Sequence, residues 1–250
     1  MLPGFDLKGK TALVTGAGGG IGSAVVRDLH ALGASVVASD VSADAVGRLC
    51  EELPGTTPMT VDLADVASLA DAHGALEAQV GPIDILVNNA GIAVAGDFTK
   101  SPPHEWTNTF AINLMAAMEL ARLVVPSMRD RGWGRLVFVS SDAGRVGSKN
   151  KPVYAASKGG VIGFAKALAL DVARRGVTSN VICPGPVDTA IFKGVIDERE
   201  GLRRSLEAAI PVGTIGQPSE ISGMIAYLCT ERASYITGQV ISINGGLERP

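Results

Sequence analysis

Residues 11–22 read TALVTGAGGGIG, and the architecture of the whole chain can be worked out from this stretch. Its first five residues form a short apolar run of the kind that becomes a buried β-strand. Gly16 to Gly22 then predict a tight turn, because glycine has no Cβ and lets the backbone approach a ligand closely. An amphipathic helical pattern begins near Ile21. The free amides and the positive dipole end of that helix suit an anion such as a pyrophosphate.

The glycine spacing in this turn is G-x-x-x-G-x-G rather than the commoner G-x-G-x-x-G. A turn that is merely flexible would need neither the preceding strand nor the following helix, whereas a phosphate-binding turn requires both. Gly33 ends the helical pattern, as a left-handed cap often does. We therefore expect the turn to bind a dinucleotide through Gly16, Gly18, Gly19, Gly20, Ile21 and Gly22.

Six more apolar, β-branched runs alternate with helical patterns along the chain. They are Ser35 to Ser39, Pro58 to Val61, Ile83 to Val87, Arg135 to Val139, Thr178 to Ile182 and Val240 to Ile243. No linker, charge block or internal repeat divides the 250 residues. The pattern predicts a single-domain α/β doubly wound (Rossmann) fold over residues 1–250, with a seven-stranded parallel sheet and helices on both faces.

Polar or glycine residues follow the predicted strands. In a doubly wound sheet, ligands bind at the carboxyl ends of the strands, so these residues are expected to meet at one edge. After the glycine turn they are Asp40, Asp62, Asn88 to Gly91, Ser140 with Ser141, and Pro184 with Gly185.

Tyr154 and Lys158 lie four residues apart on a predicted helix and so share one face. Lowering a tyrosine pKa from about 10 to near 7 needs roughly 4 kcal/mol. A unit charge about 4 Å away contributes roughly that much at an effective dielectric of about 20. We expect Lys158 to hold the phenol near its ionised form, as a base toward a secondary alcohol. Alone the pair is a weak signal, because solvated helix faces show the same spacing.

Jointly these motifs resemble those of the short-chain dehydrogenase/reductase family over nearly the whole chain. The resemblance rests on T-G-x-x-x-G-I-G at Thr15 to Gly22, N-N-A-G at Asn88 to Gly91, Asn113, Ser141, the Tyr154/Lys158 pair and P-G-x-V-x-T at Pro184 to Thr189.

The resemblance implies a role for each catalytic residue. Tyr154 would be the acid/base, and Lys158 would lower its pKa and bind the nicotinamide ribose. Ser141 would donate a hydrogen bond to the substrate oxygen. The carbonyl of Asn113 would hold a water in a proton relay; a residue that kinks a buried helix is a compatible reading. Ser140, beside Ser141, is expected to be structural.

The resemblance also implies a set of nucleotide-binding residues beyond the glycine turn. They are Asp40, Val41, Asp62, Leu63, Asn89, Ala90, Gly91, Tyr154, Lys158, Pro184, Gly185, Val187 and Thr189.

Asp40 favours NAD over NADP. A carboxylate at the end of the second strand can accept hydrogen bonds from the adenosine ribose hydroxyls. It would repel a 2′-phosphate by about 4 kcal/mol per unit charge at about 4 Å. Where the family places a phosphate-binding cation, this chain has Ala17, Ser39 and Val41. The alternative is that Asp40 only caps the next helix, a role that Ser42 can fill equally well.

The segment from about 186 to 211 is expected to fold over the site as a substrate lid. Its apolar residues, which would face the pocket, are Val187, Ile191, Phe192, Val195 and Ile196. Its charged residues, Asp197 to Glu200 followed by Arg203 and Arg204, would form a solvated face.

Two stretches, 141–148 and 183–190, are similar to bacterial 2-hydroxycyclohexanecarboxyl-CoA dehydrogenases, which implies a ring β-hydroxyacyl thioester as substrate. Arg145, with Lys149 and Lys151, would then meet CoA phosphates or a substrate carboxylate. A solvated loop, or an Arg145 ion pair inside the fold, is the alternative. The expected substrate-binding residues are Ser141, Arg145, Tyr154 and Phe192.

Other functions remain open. The motifs also resemble those of 3-oxoacyl carrier-protein reductases, although Asp40 argues against their usual NADPH. A dehydrogenase of sugars or small aryl alcohols is not excluded. A dinucleotide-sensing regulator without catalysis is a further alternative, but such proteins usually lose the tyrosine or the lysine.

The composition narrows the partners. A net charge of −3 gives no basic surface for nucleic acid or anionic lipid, and neither partner is expected. Three dispersed cysteines and the scattered His30, His73 and His104 predict no disulfide and no metal. A cytoplasmic location is expected because no secretory or membrane-spanning segment is evident. The resemblance implies a homotetramer built through the helices near Glu105 to Arg129 and Tyr154 to Arg175 and through the strand region Gly238 to Gly246.

Overall fold

The computed structural model describes residues 3–190, 192–193 and 201–249. Within these residues the chain forms one parallel sheet of seven strands, which confirms the predicted fold class. The strands are β1 (Thr11–Thr15), β2 (Ser35–Asp40), β3 (Thr57–Thr60), β4 (Ile85–Asn88), β5 (Gly134–Val139), β6 (Val177–Pro184) and β7 (Val240–Ile243). Their spatial order is β3-β2-β1-β4-β5-β6-β7. The order reverses between β1 and β4, and ligands bind at such a reversal.

The strand boundaries agree with the predicted ones to within two residues, and β4 and β6 differ most. β4 begins at Ile85 rather than Ile83. For β6 the difference is at the carboxyl end. This strand was predicted to end at Ile182 but extends to Pro184, because it is bonded to a parallel strand on each side. Val177 pairs with Gly134 of β5 at one end, and Pro184 pairs with Ile243 of β7 at the other.

Helices cover both faces of the sheet. They are α1 (Gly20–Ala31), α2 (Ala43–Glu52), α3 (Leu69–Val80), α4 (Pro103–Phe110), α5 (Ala116–Arg131), α6 (Ala143–Val146), α7 (Pro152–Val172), α8 (Leu202–Ala209) and α9 (Pro218–Leu228). Apolar side chains of α1, α2 and α9 form the core on one face, and those of α3, α5 and α7 form the core on the other. Strands buried on both faces explain the continuous apolar runs in the sequence.

A π-helical turn, Ala111–Met115, joins α4 to α5, within the region near Glu105 to Arg129 where the sequence predicts one long helix, with a kink at Asn113 as a compatible reading. Such turns insert an extra residue into a helix and are frequent at functional sites. Asn113 is buried at its centre. The helical run Pro103–Arg131 is long enough to span a membrane and contains an 18-residue window with the mean hydropathy of a membrane span. In the fold, 44% of that window is buried. A core helix of a globular protein passes the same test of length and hydropathy.

Arg135 is a charged residue buried inside the sheet. Its guanidinium lies 4.4 Å from the Trp133 ring centroid and forms a 2.6 Å ion pair with Glu231. It also donates to the backbone oxygens of Thr230, Gly134 and Gly176. The arrangement links the start of β5 to the segment after α9.

We expect Glu231→Ala to lower the free energy of unfolding by about 2 kcal/mol, because a buried guanidinium loses its charged acceptor. Glu52→Ala is the matched control, since it breaks an exposed pair with Arg27 and should cost under about 1 kcal/mol. Urea unfolding of both variants measures the difference. Equal losses would contradict the structural role given to the buried pair.

Candidate active site

The glycine turn after β1 is fixed to the end of β4 by side chains. Thr15 Oγ1 accepts hydrogen bonds from the backbone amides of Asn89 and Ala90, both at 3.1 Å. Asn89 Nδ2 donates to the carbonyls of Thr15 and Gly16, at 3.0 and 3.1 Å. Gly16 has a φ of +64°, which favours glycine. The turn is therefore held in one conformation.

Two close contacts explain why glycine is needed further along this turn. A Cβ on Gly22 would lie 2.0 Å from the Gly16 carbonyl oxygen, and a Cβ on Gly20 would lie 2.8 Å from Thr189 Cγ2. The residue that precedes α1, Gly19, has no side chain to bond the first amides of the helix. Those amides are therefore available to an anionic ligand.

A cleft of about 360 Å³ opens at the carboxyl ends of the strands. Predicted nucleotide-binding residues that line it are Gly16, Gly19, Gly20, Ile21, Gly22, Asp40, Val41, Asp62, Leu63, Asn89, Ala90, Gly91 and Thr189. Its wall also contains four residues outside the predicted set: Ser39, Val61, Ile92 and Ile112. Ser39, Val61 and Ile92 each adjoin a predicted nucleotide-binding residue, and Ile112 adjoins the predicted catalytic residue Asn113. Extending each predicted motif by one residue would have included them.

Several residues of the predicted nucleotide set do not line this cleft. Gly18 lies under Asp40, and Gly185 packs against Asn244. Pro184 ends β6. Val187 is buried in the apolar core, so its contribution to the cofactor site stays a prediction. Tyr154 and Lys158 are described below.

Asp40 lies over the glycine turn. Its Oδ2 accepts a hydrogen bond from Gly18 N and its Oδ1 accepts one from Ser42 N, both at 3.0 Å. The side chain that caps α2 is that of Ser42, whose Oγ accepts from Ala45 N at 3.3 Å. Asp40 is therefore not the helix cap, and its carboxylate lines the cleft instead.

Asn113 uses all of its side-chain polar atoms inside the protein. Oδ1 accepts from Ile92 N at 2.8 Å, and Nδ2 donates to Ile92 O at 2.9 Å and to Ser157 Oγ at 3.0 Å. These bonds join the π-helical turn to the end of β4 and to α7. The side-chain amide is thus occupied within the protein, and the role of Asn113 in a proton relay stays a prediction.

Tyr154 and Ser141 meet at the carboxyl end of β5. Burial raises the pKa of the Tyr154 phenol above its ordinary value, a hydrogen bond with Ser141 opposes that rise, and the nearby Cys183 adds to it. Ser141 Oγ also accepts a bond from Ala143 N at 3.2 Å. Its neighbour Ser140 is buried and donates to Lys158 O at 2.8 Å, in keeping with a structural residue.

Lys158 is buried beside the cleft wall. Its Nζ donates to Val139 O at 2.9 Å and lies 6.0 Å from the Tyr154 ring centroid. Burial lowers the pKa of Lys158 to about 8. We expected this lysine to lower the pKa of Tyr154, but the pKa of the phenol is raised, because the ammonium is not in direct contact with it and both groups lose water. A Cβ on Gly91 would lie 3.0 Å from Nζ.

The predicted substrate residues do not all converge. Arg145 Nη1 donates to Ser242 Oγ at 2.8 Å, so this guanidinium is engaged inside the fold. Phe192 is half-buried, and its amide donates to Thr189 Oγ1. Of the proposed lid, Ile191 and residues 194–200 lie outside the described residues; they include Val195, Ile196 and the charged run Asp197 to Glu200. Arg203 pairs with Asp188 at 3.2 Å and is not simply solvated.

The residues that the structure describes contain no group of three or more His, Cys, Asp or Glu side chains arranged to hold a metal ion. The absence of a metal stays a prediction for the whole chain.

The fold and the site define a dinucleotide-binding oxidoreductase. Residues 16–248 match a family model described as Enoyl-(Acyl carrier protein) reductase. The chain belongs to the short-chain dehydrogenase/reductase family, whose members are oxidoreductases acting on CH–OH groups.

Relatives over nearly the full length support this assignment. The 3-oxoacyl-(acyl-carrier-protein) reductase of Escherichia coli (strain K12) is 35% identical, covering 97% of this chain and 99% of the relative. The acetoacetyl-CoA reductase of Rhizobium meliloti (strain 1021) is 37% identical, covering 95% and 98%. A putative NAD(P) dependent gluconate 5-dehydrogenase from Beutenbergia cavernae, solved with bound NADP at low occupancy, is 35% identical with a TM-score of 0.92, covering 97% and 98%.

We expect Gly22→Ala to weaken NADH binding at least tenfold, because the new methyl group collides with the Gly16 carbonyl and moves the turn. Gly47→Ala is the matched control on α2, where a Cβ meets nothing within 4 Å and should leave binding unchanged. NADH fluorescence titration measures both. Unchanged binding in Gly22→Ala would contradict the role of the turn.

We expect Lys158→Met to be inactive but more stable than the wild type near pH 7, by up to about 3 kcal/mol. The lowered pKa means that burying the charged lysine destabilises the fold below pH 8. That penalty fades as the pH rises from about 8 to 10.5, where the unfolded chain also loses the proton.

Urea unfolding at pH 7 and at pH 10.5 tests this linkage. Lys166→Met, on the exposed face of α7, is the control and should show no such dependence on pH. A stability gain of Lys158→Met that is the same at both pH values would refute the buried charge as its cause.

Proposed function

We propose that the protein is an NAD-dependent oxidoreductase that interconverts a secondary alcohol and a ketone. The favoured substrate is a β-hydroxyacyl thioester or a cyclic alcohol. The observation that carries the proposal is at Gly91, which lines the nucleotide cleft and lies so near the Lys158 ammonium that a Cβ on it would be 3.0 Å from Nζ. A dinucleotide in the cleft would thus extend to the group beside Tyr154.

The residues that would hold the dinucleotide follow from the cleft. The amides at the start of α1 and the glycine turn suit the pyrophosphate, Asp40 suits the adenosine ribose, and Lys158 suits the nicotinamide ribose. Asp62, whose Oδ1 accepts from Ala64 N, is suited to the adenine amino group. When bound, the nicotinamide supplies acceptance or donation of a hydride.

Proton transfer falls to Tyr154. Its ionised oxygen takes the alcohol proton during oxidation, and its hydroxyl returns a proton during ketone reduction. Ser141 supplies the hydrogen bond that favours the ionised phenol and, in the proposed complex, donates to the substrate oxygen. Because burial raises the pKa of Tyr154, oxidation is expected to accelerate toward alkaline pH.

The choice of NAD depends on Asp40. The carboxylate is fixed by two amides at the cleft wall, so it cannot easily turn away from a 2′-phosphate. Val41, its neighbour in the wall, is apolar and exposed. The gluconate 5-dehydrogenase structure contains NADP. The cofactor proposed for the present chain therefore differs from the one bound to that relative.

The substrate class is supported by the chemistry around Tyr154. Lys151 Nζ lies 6.0 Å from the Tyr154 ring centroid, and Lys149 is exposed on the same loop. These cations suit the phosphates of a CoA ester, and one relative is named as an acetoacetyl-CoA reductase. The second candidate is a 3-oxoacyl carrier-protein reductase, favoured by the relatives of that name. A sugar-acid dehydrogenase is a further alternative, because the structural relative is named a putative gluconate 5-dehydrogenase.

A homotetramer in the cytoplasm is part of the proposal. Met115 and Met118, beside and on α5, and Leu170 on α7 are exposed apolar side chains. They lie on the two helices that the sequence analysis assigned to a subunit interface, and burial of such residues between copies would remove them from water.

A screen of NAD reduction across hydroxyacyl-CoA esters, hydroxyacyl carrier-protein esters, cyclic alcohols and sugar acids tests the substrate class. Turnover of CoA esters or cyclic alcohols is expected to exceed the other rates. Preference for a carrier-protein ester or a sugar acid would select the corresponding alternative.

We expect kcat/KM to favour NAD over NADP by about 100-fold or more, since a repulsion of about 4 kcal/mol opposes the 2′-phosphate. Asp40→Ser should narrow that ratio at least tenfold. The experiment compares the ratio of kcat/KM for NAD to kcat/KM for NADP, because loss of the hydrogen bond from Gly18 N weakens binding of both cofactors equally. Asp44→Ser, an exposed carboxylate on α2, is the control and should leave the ratio unchanged. A wild type that prefers NADP would contradict the account of Asp40.

We expect Tyr154→Phe to lower kcat by a factor of about 100 to 10,000, the range typical of a lost general acid or base. Binding of NADH should remain within about twofold of wild type, because the proposed adenosine and pyrophosphate contacts are made by residues that line the cleft, and Tyr154 is not one of them. Tyr235→Phe alters a fully exposed tyrosine and serves as the control. Retention of turnover in Tyr154→Phe would overturn the assigned role.

A further inference from the structure

The carboxylate of Asp142 is buried directly after Ser141 and is bonded on both oxygens. Its Oδ1 accepts a hydrogen bond from Ser242 Oγ, and its Oδ2 accepts one from Asn244 Nδ2 at 2.6 Å. Only 5% of the residue is exposed. An aspartate before a helix usually caps that helix, but this side chain makes no cap bond to α6 and reaches toward β7 instead.

These bonds cross the width of one strand. Asp142 follows β5, while Ser242 and Asn244 lie on and just after β7, with β6 between them. Cys183 of β6 pairs in register with Ser242, and the Asp142 carboxylate contributes to raising the pKa of that thiol. The carboxylate therefore links the ends of two strands that share no backbone bond.

Each partner of Asp142 is itself fixed. Ser242 Oγ accepts from Arg145 Nη1 at 2.8 Å, so its hydroxyl proton is directed to the carboxylate. Asn244 Nδ2 also donates to Glu248 O, and Asn244 Oδ1 accepts from Gly246 N. A donor is thus presented to each carboxylate oxygen. The guanidinium of Arg145 balances the buried charge through the serine.

We propose that Asp142 is a positioning residue that holds the backbone after β5 so that the Ser141 hydroxyl faces Tyr154. Asp142 and Ser141 are adjacent, so a shift of the anchored carboxylate moves the serine with it. The anchor on β7 is rigid, because that strand is hydrogen-bonded to β6 over four residue pairs. The inference rests on the proposed function, in which Ser141 and Tyr154 act on the substrate together.

Asp142→Asn tests the proposal with almost no change of volume. The new amide keeps one acceptor and turns the other into a donor. Turned toward Asn244, that donor opposes an NH₂ group. Turned toward Ser242, it meets a hydroxyl that already accepts from Arg145 and whose proton has lost its acceptor. We expect kcat to fall at least tenfold, while the Kd for NADH stays within twofold because the nucleotide cleft is not touched.

The exchange variant Asp142→Asn with Asn244→Asp is the matched control. It restores a donor–acceptor pair between the two side chains with the polarity reversed. The bond from Asn244 to Glu248 O is lost in it just as in Asn244→Asp alone, so its kcat should exceed that of either single variant at least threefold. Asn244→Asp alone should be impaired, because two carboxylates then face each other. Failure of the exchange variant to recover activity would overturn the proposal, as would a kcat of Asp142→Asn within twofold of wild type.

A second readout does not depend on turnover. The tyrosinate absorbance of Tyr154, isolated by subtracting the spectrum of the corresponding Tyr154→Phe variant, should titrate at higher pH in Asp142→Asn than in wild type, since the phenol loses its bond to Ser141. The titratable groups that face the phenol, Lys151, Lys158 and Cys183, are present in both proteins. The variant also lacks the negative charge of Asp142, and removing a negative charge favours ionisation of a nearby phenol, which opposes the expected rise.

An unchanged titration in a folded Asp142→Asn protein would overturn the proposal. If the wild type oxidises no alcohol at all, the proposed function fails, while the tyrosine titration still decides the positioning role.

Discussion

One contact sets the geometry of the molecule: the approach of Gly22 to the carbonyl of Gly16, with no room for a side chain between them. It allows α1 to begin directly at the end of β1. The helix amides and the carboxyl ends of the strands then face the same cleft. Bonds between Thr15, at the end of β1, and Asn89, just after β4, fix the turn, so the same bonds join the nucleotide site to the sheet.

Burial governs the chemistry at the other end of the cleft. The same loss of water raises the pKa of Tyr154 and lowers that of Lys158, so the two groups are less easily charged than in solution. It also strengthens the hydrogen bonds that orient them, because the surroundings are of low polarity. The lowered pKa of Lys158 means that burying its charge opposes folding at neutral pH, while the proposed function needs that charge beside the substrate site, which is a common trade between stability and activity.

Much of the fold was predictable because a parallel sheet produces a strong pattern in the sequence. Strands covered on both faces are apolar throughout, and residues such as Asp40 and Asn89 follow them where ligands bind. A kink at Asn113 was implied by the family resemblance, but its form as a π-helical turn was not predictable, since one inserted residue hardly changes the apolar spacing of a helix. The bonds of Asp142 and Arg145 to β7 join residues about one hundred positions apart, which no local pattern indicates. The direction of the Tyr154 pKa shift was wrong because helix spacing alone does not give the depth of burial.

The central claim is that one cleft places a pyridine dinucleotide between Asp40 and Tyr154. A crystal structure of the wild-type protein with NAD⁺ tests it most directly. The account predicts adenosine ribose hydroxyls within hydrogen-bond distance of the Asp40 carboxylate and the nicotinamide beside the Tyr154 phenol. A dinucleotide bound with its nicotinamide away from Tyr154, or with Asp40 turned from the ribose, would contradict it.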